Sequence, residues 1–201
     1  MKRRQFLGHV GVGSVTIASL ATLADILATP VHADSQTNFH FVAVSQAGPP
    51  GTPTSPQHRF AMSGDGNITP SSVVGDGSIN HFLFPGSNPP VGGTPLPLVG
   101  QATWKAKGLI SFNLIGTYGA FAAGILEMEI NIIREGLPVL PARLKVVCNI
   151  GFAGLSTGEE EGFTLIIPGS PFVAGGTIGP IEPLVPALGI SAFSTGNESR
   201  D

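Results

Sequence analysis

Residues 64–80 read Gly64-Asp65-Gly66-Asn67-Ile68-Thr69-Pro70-Ser71-Ser72-Val73-Val74-Gly75-Asp76-Gly77-Ser78-Ile79-Asn80, and state nearly one phrase twice. Asp-Gly is a strong short-range hairpin signal, because glycine accepts the positive φ that a two-residue turn requires. The repeat therefore reads as two tight turns flanking a short strand, Ser72 to Val74, with Ile68 and Ile79 returning to the core after each. The same residues carry a metal-like pattern. Asp65-x-Asn67 and Asp76-x-Ser78 each place side-chain oxygens two residues apart around a glycine, as Ca²⁺ loops often begin. The remaining ligands of an EF-hand loop are absent, and two copies do not build a Ca²⁺-binding solenoid. The turn reading is preferred, and Ca²⁺ at Asp65, Asn67 and Asp76 is the one cofactor the sequence suggests.

On either side of this repeat the pattern is similar. Short apolar or alternating runs rich in Val, Ile, Thr and Phe are separated by Gly/Pro clusters, and no helical period is sustained. Strands are expected near Asn38 to Gln46, His58 to Ser63, Ser72 to Val74, Ser78 to Phe84, Ala102 to Ile115, Ala120 to Arg134, Arg143 to Ile150 and Gly162 to Ile167. Weaker ones are expected at Phe172 to Ile178 and Gly189 to Phe193, and Pro85 to Pro97 reads as a long irregular loop. The fold class is all-β: an antiparallel β-sandwich, jelly-roll-like, or a small β-barrel.

Thr103 to Ile133 reads as a hairpin turning at Ile115-Gly116-Thr117-Tyr118-Gly119. A register in which paired residue numbers sum to 234 sets Lys105 against Glu129 and Lys107 against Glu127 on one face. On the other face it alternates small residues with large ones, so charge pairing and volume matching agree. The buried face is then Trp104, Ile110, Phe112, Leu126, Met128 and Ile130. Glu127 and Glu129 are accounted for as an exposed ladder rather than as paired catalytic carboxylates.

Other candidate chemistry dissolves on inspection. Gly154-Leu155-Ser156-Thr157-Gly158 matches G-x-S-x-G, but that motif needs a strand-to-helix turn and a later His, and His81 is the last histidine. Glu159-Glu160-Glu161 reads as a solvated loop blunting a strand end. Cys148 is the only cysteine, so no intrachain disulfide forms, and its setting in Leu144 to Ile150 is that of a small buried hydrophobe. No spacing suited to a transition metal occurs.

The chain opens Lys2-Arg3-Arg4-Gln5-Phe6-Leu7-Gly8, continues with an apolar run from Val10 to Ala28, and reaches Val31-His32-Ala33. Basic start, apolar middle and small-x-small ending are the parts of a cleavable secretory signal helix. Arg3, Arg4, Phe6 and Leu7 resemble the core of the twin-arginine (Tat) signal of bacterial and archaeal exported proteins, with cleavage after Ala33. The resemblance covers residues 1–33 alone and implies the Tat translocase as a partner. Lys2 and Gly8 depart from the commonest pattern, which leaves the Sec route open. The organisation expected is a signal at 1–33, one β domain at 34–195 and a polar tail at 196–201.

Loss of the signal removes three basic residues and one acid, leaving 7 basic against 12 acidic residues, a net charge of −5. A mildly acidic surface argues against nucleic acid or anionic membranes as partners, and cleavage leaves no stable membrane span. The expectation is an exported protein, periplasmic, cell-surface or extracellular, acting as a non-catalytic binding, interaction or structural module. The alternative is a small barrel enzyme or apolar-ligand carrier with its site near His81, Trp104 and Tyr118. An enzyme requires a cleft where His58 or His81 meets an acid. A plain binding module requires a filled core with its histidines outside.

Overall fold

The computed structural model describes residues 36–47, 57–84, 98–168 and 181–195. Arg3, Arg4, Phe6, Leu7 and Ala33, the Pro85 to Pro97 connection, the Phe172 to Ile178 strand and the 196–201 tail lie outside the described residues. Within them the chain is all-β and antiparallel. The strands are β1 (Thr37–Ala47), β2 (Gln57–Thr69), β3 (Ser72–Phe84), β4 (Leu98–Tyr118), β5 (Phe121–Ile133), β6 (Leu140–Cys148), β7 (Gly162–Ile166) and β8 (Ile181–Thr195). Each pairs with the next in sequence, and β1 also pairs with β8, so the hydrogen bonds run in a closed ring. Closure leaves neither terminal strand as an open sheet edge.

The duplicated Gly-Asp-Gly does not turn the chain. Both copies lie inside long strands, paired with each other: Gly64 faces Gly77, Asp65 faces Asp76 and Gly66 faces Gly75, while the turn is Thr69-Pro70-Ser71-Ser72. None of the four glycines has a positive φ. Their role is steric. A Cβ on Gly64 would stand 2.1 Å from Trp104 Cζ2, and one on Gly77 would stand 1.9 Å from Ser63 O and 2.7 Å from Trp104 Nε1. Gly66 and Gly75 leave the same kind of room for the Phe39 ring, whose Cε1 and Cζ would be 2.7 and 2.6 Å from their added carbons. With side chains alternating between faces, four glycines on the inner face admit two large rings, and the aspartates between them point outward.

The β4–β5 pairing also departs from the simple register. The turn lies at Gly119-Ala120, at the far limit of the expected stretch, with Gly119 at φ 60°. Paired numbers sum to 239 next to the turn and 236 at Thr103–Ile133, because bulges interrupt β4 at Ala106/Gly108, Leu109/Ser111 and Leu114/Gly116. Each bulge adds a residue to β4 and sharpens its twist, which a sheet bent into a ring requires. The inward series becomes Trp104, Ala106, Leu109, Phe112 and Leu114, and Leu109 takes the place expected for Ile110, which is 40% exposed. Trp104, Leu126, Met128 and Ile130 are buried as expected. Lys105 stands opposite Asn131 and Glu127 opposite Ser111, and the ion pair that forms is Lys107 Nζ to Glu129 Oε2 at 3.0 Å.

One core fills the middle of the ring. Trp104 is fully buried, stacks on Phe41 at 6.1 Å between centroids, and donates its Nε1–H to Ser63 O at 2.9 Å. Phe41 in turn meets Phe163 from β7. Met62, Leu126, Met128, Leu144 and Phe193 complete the packing.

The ring is thinnest between β7 and β8, which pair only at Leu165–Ile181. The three acids before β7 compensate for this, and are not simply solvated. Glu160 Oε1 accepts the Ala187 N–H at 2.8 Å and Glu161 Oε1 accepts the Ser191 N–H at 3.0 Å, while Glu159 binds Lys145. Two carboxylates thus occupy places on β8 that a longer β7 could have bonded, and give charged acceptors to two N–H groups there.

Candidate functional site

The C-terminal ends of β1, β3, β5 and β7 lie at one end of the ring, whereas the tight turns at Pro70-Ser71 and Gly119-Ala120 lie at the other. Inner-face positions next to the first end open into a cavity of about 130 Å³. Its wall is apolar: Phe60, Ile79, Ala102, Ile132, Leu140 and Leu165. Two basic side chains, His81 and Arg134, line it as well.

Both are placed by alternation. On β2 the inward series runs Ile68, Met62, Phe60, and His58 continues it towards the opening. On β3 His81 stands opposite Phe60 and shares its face. The His81 ring lies flat against Phe60, 4.4 Å between centroids and 6° between planes. His58 Nδ1 and His81 Nε2 are 2.8 Å apart, a direct hydrogen bond between imidazoles. On β5 the inward series Met128, Ile130, Ile132 continues two residues on to Arg134. Gly100, opposite His81 on β4, leaves space beside that ring.

Electrostatics keeps the histidines neutral. Burial pushes the His58 imidazole below its ordinary range. Burial first, and the adjacent His58 second, bring His81 down to about 4. A neutral pair joined by one hydrogen bond has two tautomeric arrangements. If His58 Nδ1–H donates, His81 presents an Nδ1–H on its other side. If His81 Nε2–H donates, that Nδ1 is an acceptor.

Arg134 is the unusual member of the set. Its Nε–H is buried, and among the described residues no acceptor meets it. The ion pairs among the described residues are Lys107–Glu129 and Lys145–Glu159, both elsewhere. A buried donor without a partner costs on the order of 1–3 kcal/mol. No group of three His, Cys, Asp or Glu able to hold a metal forms among the described residues.

The residues singled out from sequence are scattered. Of His81, Trp104 and Tyr118, only His81 reaches the cavity: Trp104 is in the central core, and Tyr118 lies exposed at the other end, edge-on to Phe152. Asp65, Asn67 and Asp76 are exposed on the outer face, and the two aspartates stand directly opposite one another with His40 and Lys105 next in the same row. Glu127 and Glu129 are also on the outer face, opposite Lys145 and Arg143 of β6. Cys148 is buried with its Sγ–H directed at Ser191 O at 3.0 Å, and burial raises its thiol pKa, which suits a structural role. Ser156 accepts the Gly158 N–H at 3.2 Å in a loop with Gly154 and Gly158 at positive φ, and no histidine is near it in the chain. Arg134 and the partnership of His58 with His81 were not anticipated. Their signal was present: each continues an alternating inward series by two residues.

Comparison with protein-family models, with curated proteins and with solved structures gives no match.

Proposed function

We propose that the mature chain is a small exported β-barrel that binds an apolar ligand in the open end of its ring without transforming it. The observation that carries this reading is the contrast along the interior. The middle is filled by Trp104 and its neighbours, while one end keeps an apolar cavity into which a few polar groups converge. That is the usual composition of a small-molecule site. Closure of the strand ring favours a barrel over a sandwich. Export, by the Tat translocase in preference to Sec, rests on Arg3, Arg4, Phe6 and Leu7 and on cleavage after Ala33.

The two sequence-based alternatives each contribute something. His58 and His81 lie inside together, as a site requires, yet among the described residues no carboxylate joins them. An apolar wall with few polar groups beside it suits the holding of an apolar ligand.

Toluene, uncharged and of suitable size, tests the cavity. Titration should move the methyl NMR signals of Ile79, Ile132, Leu140 and Leu165, and Gly100→Phe should abolish the change by filling the space beside His81. Methyl shifts absent in the parent protein, or unaffected by Gly100→Phe, would refute the reading.

A further inference from the structure

We propose that the turn end of the ring, away from the cavity, rests on an electrically neutral lipid surface through an aromatic tip made by Tyr118, Phe121 and Phe152. This contact does not depend on what the cavity holds.

The tip is exposed and held in place by the backbone. Tyr118 and Phe121 are Cα partners across the Gly119-Ala120 turn, so their side chains leave on one side of it, and each is more than half exposed. Phe152 stands on the 3₁₀ turn Gly151–Ala153 that follows β6, is 81% exposed, and meets Tyr118 edge-on at 5.3 Å between centroids. Two hydrogen bonds between Ile150 and Leu155 close that loop, at 2.9 and 3.2 Å. Leu155 lies over Gly116, where an added Cβ would be 3.1 Å from its Cδ2, so the loop is seated on β4. Single apolar side chains on a surface are ordinary, whereas rings gathered at one point mark a contact.

Charge selects the occupant. No Asp, Glu, Lys or Arg occurs in 37–39, 67–74, 108–126, 149–158 or 189–195, which supply the turns and strand limits at this end. The acids that follow, Glu159, Glu160 and Glu161, are engaged with Lys145 and with the Ala187 and Ser191 N–H groups. On β2 and β3 the nearest charges are Asp65 and Asp76, each four residues back from the Thr69–Ser72 turn. With the usual rise and barrel tilt this is a margin of roughly 10 Å, about the depth to which an interfacial element sinks. Sinking that far desolvates no charge, and nothing at the tip attracts an anionic headgroup. Phe rings at the acyl boundary with a Tyr hydroxyl at headgroup level are the usual aromatic anchors of a membrane interface.

Chain direction agrees. Residues 1–35 join the ring at Thr37, which pairs with Ile68 beside the Pro70-Ser71 turn. On the signal reading, an apolar run Val10 to Ala28 engaged in a bilayer therefore holds this end towards the lipid, and not the cavity end.

Phosphatidylcholine vesicles with brominated acyl chains, mixed with the full chain carrying Phe152→Trp, test the contact. Emission from the introduced tryptophan should move to shorter wavelength and be quenched by the bromines. The parent protein, whose sole tryptophan Trp104 is buried, should show no quenching. Adding Tyr118→Ser and Phe121→Ser should remove the quenching with the melting temperature unchanged, since both rings are exposed. Quenching that survives the two serines would overturn the proposal. So would a chain that floats with the vesicles while the introduced tryptophan stays unquenched, because attachment then runs through Val10 to Ala28 alone. A blue shift that grows with protein concentration in the absence of vesicles would assign the tip to a second copy of the chain instead.

Discussion

Gly77→Ala tests the packing argument most directly. The new Cβ would lie 1.9 Å from Ser63 O and 2.7 Å from both Gly64 Cα and Trp104 Nε1, so backbone and ring must separate. Overpacking of this kind costs about 1–3 kcal/mol. The Trp104 Nε1–H bond to Ser63 O, 2.9 Å long, is strained or lost at a cost of about 1 kcal/mol. Stiffening of the unfolded chain returns about 0.4–1 kcal/mol. The net loss is roughly 1–3.5 kcal/mol, and in a domain of this size each kcal/mol lowers the melting temperature by about 2–4 °C. Trp104 is the sole tryptophan, so its fluorescence reports both the melt and the local environment. Gly108→Ala is the control: nothing lies within 4 Å of its added carbon, and its stability should be unchanged or slightly higher. A turn glycine would also resist substitution, so a double-mutant cycle separates the two accounts. Gly64→Ala should cost less once Trp104→Leu removes the ring it strikes, with a coupling of about 1 kcal/mol or more. A Gly77→Ala protein that melts within about a degree of the parent, with unchanged emission, would refute the steric role.

Lowering the pH should destabilise the fold. The unfolded His81 takes up a proton near 6.5 and the folded one near 4, so the unfolded state binds more protons between those values and stability falls as pH drops through them. Denaturant midpoints at several pH values should show this slope, and His81→Phe should flatten it. Glu161→Ala strips the acceptor from the Ser191 N–H and should cost about 1–2 kcal/mol, with faster hydrogen exchange at that amide. Lys107→Ala removes an exposed ion pair and should cost less than about 1 kcal/mol, an effect that added salt diminishes. Asp65 and Asp76 are like charges directly across a strand pair, so Asp76→Asn should stabilise by a few tenths of a kcal/mol at low salt. Millimolar Ca²⁺, compared with EDTA, should leave the melting temperature unmoved. A rise would restore the cation reading of Asp65, Asn67 and Asp76.

Strand content was legible because it rests on local composition, and β1, β5 and β6 fall close to their expected limits. The repeat at 64–80 misled because glycine has two uses in β structure. It relieves backbone strain at a turn, and it vacates space inside a strand, and the sequence around Asp65 and Asp76 suits both. What decides between them is Trp104 and Phe39, distant in sequence and adjacent in space. The register of β4 against β5 failed for a related reason. A strictly alternating pairing can be written for any two strands, whereas bulges answer to the curvature of the whole ring, which no pair of strands encodes. The cavity was half visible. His81 is one of the candidate site residues, but Arg134 sits where a strand gives way to a loop, and a basic residue there reads as surface unless the inward series through Ile132 is carried one step further.

Pairing of the first strand with the last has a consequence for how the chain may be cut. Thr37 and Thr195 are Cα partners at the outer limits of β1 and β8, so the two limits of the domain are neighbours. A short linker between them, with a new opening at Gly119-Ala120, would give a circular permutant with the same cyclic order of strands. That opening lies at the end of the ring away from the cavity, so the permutant should still take up toluene. In such a molecule the order of neighbours around the cycle, rather than the place where the polypeptide starts, specifies the architecture.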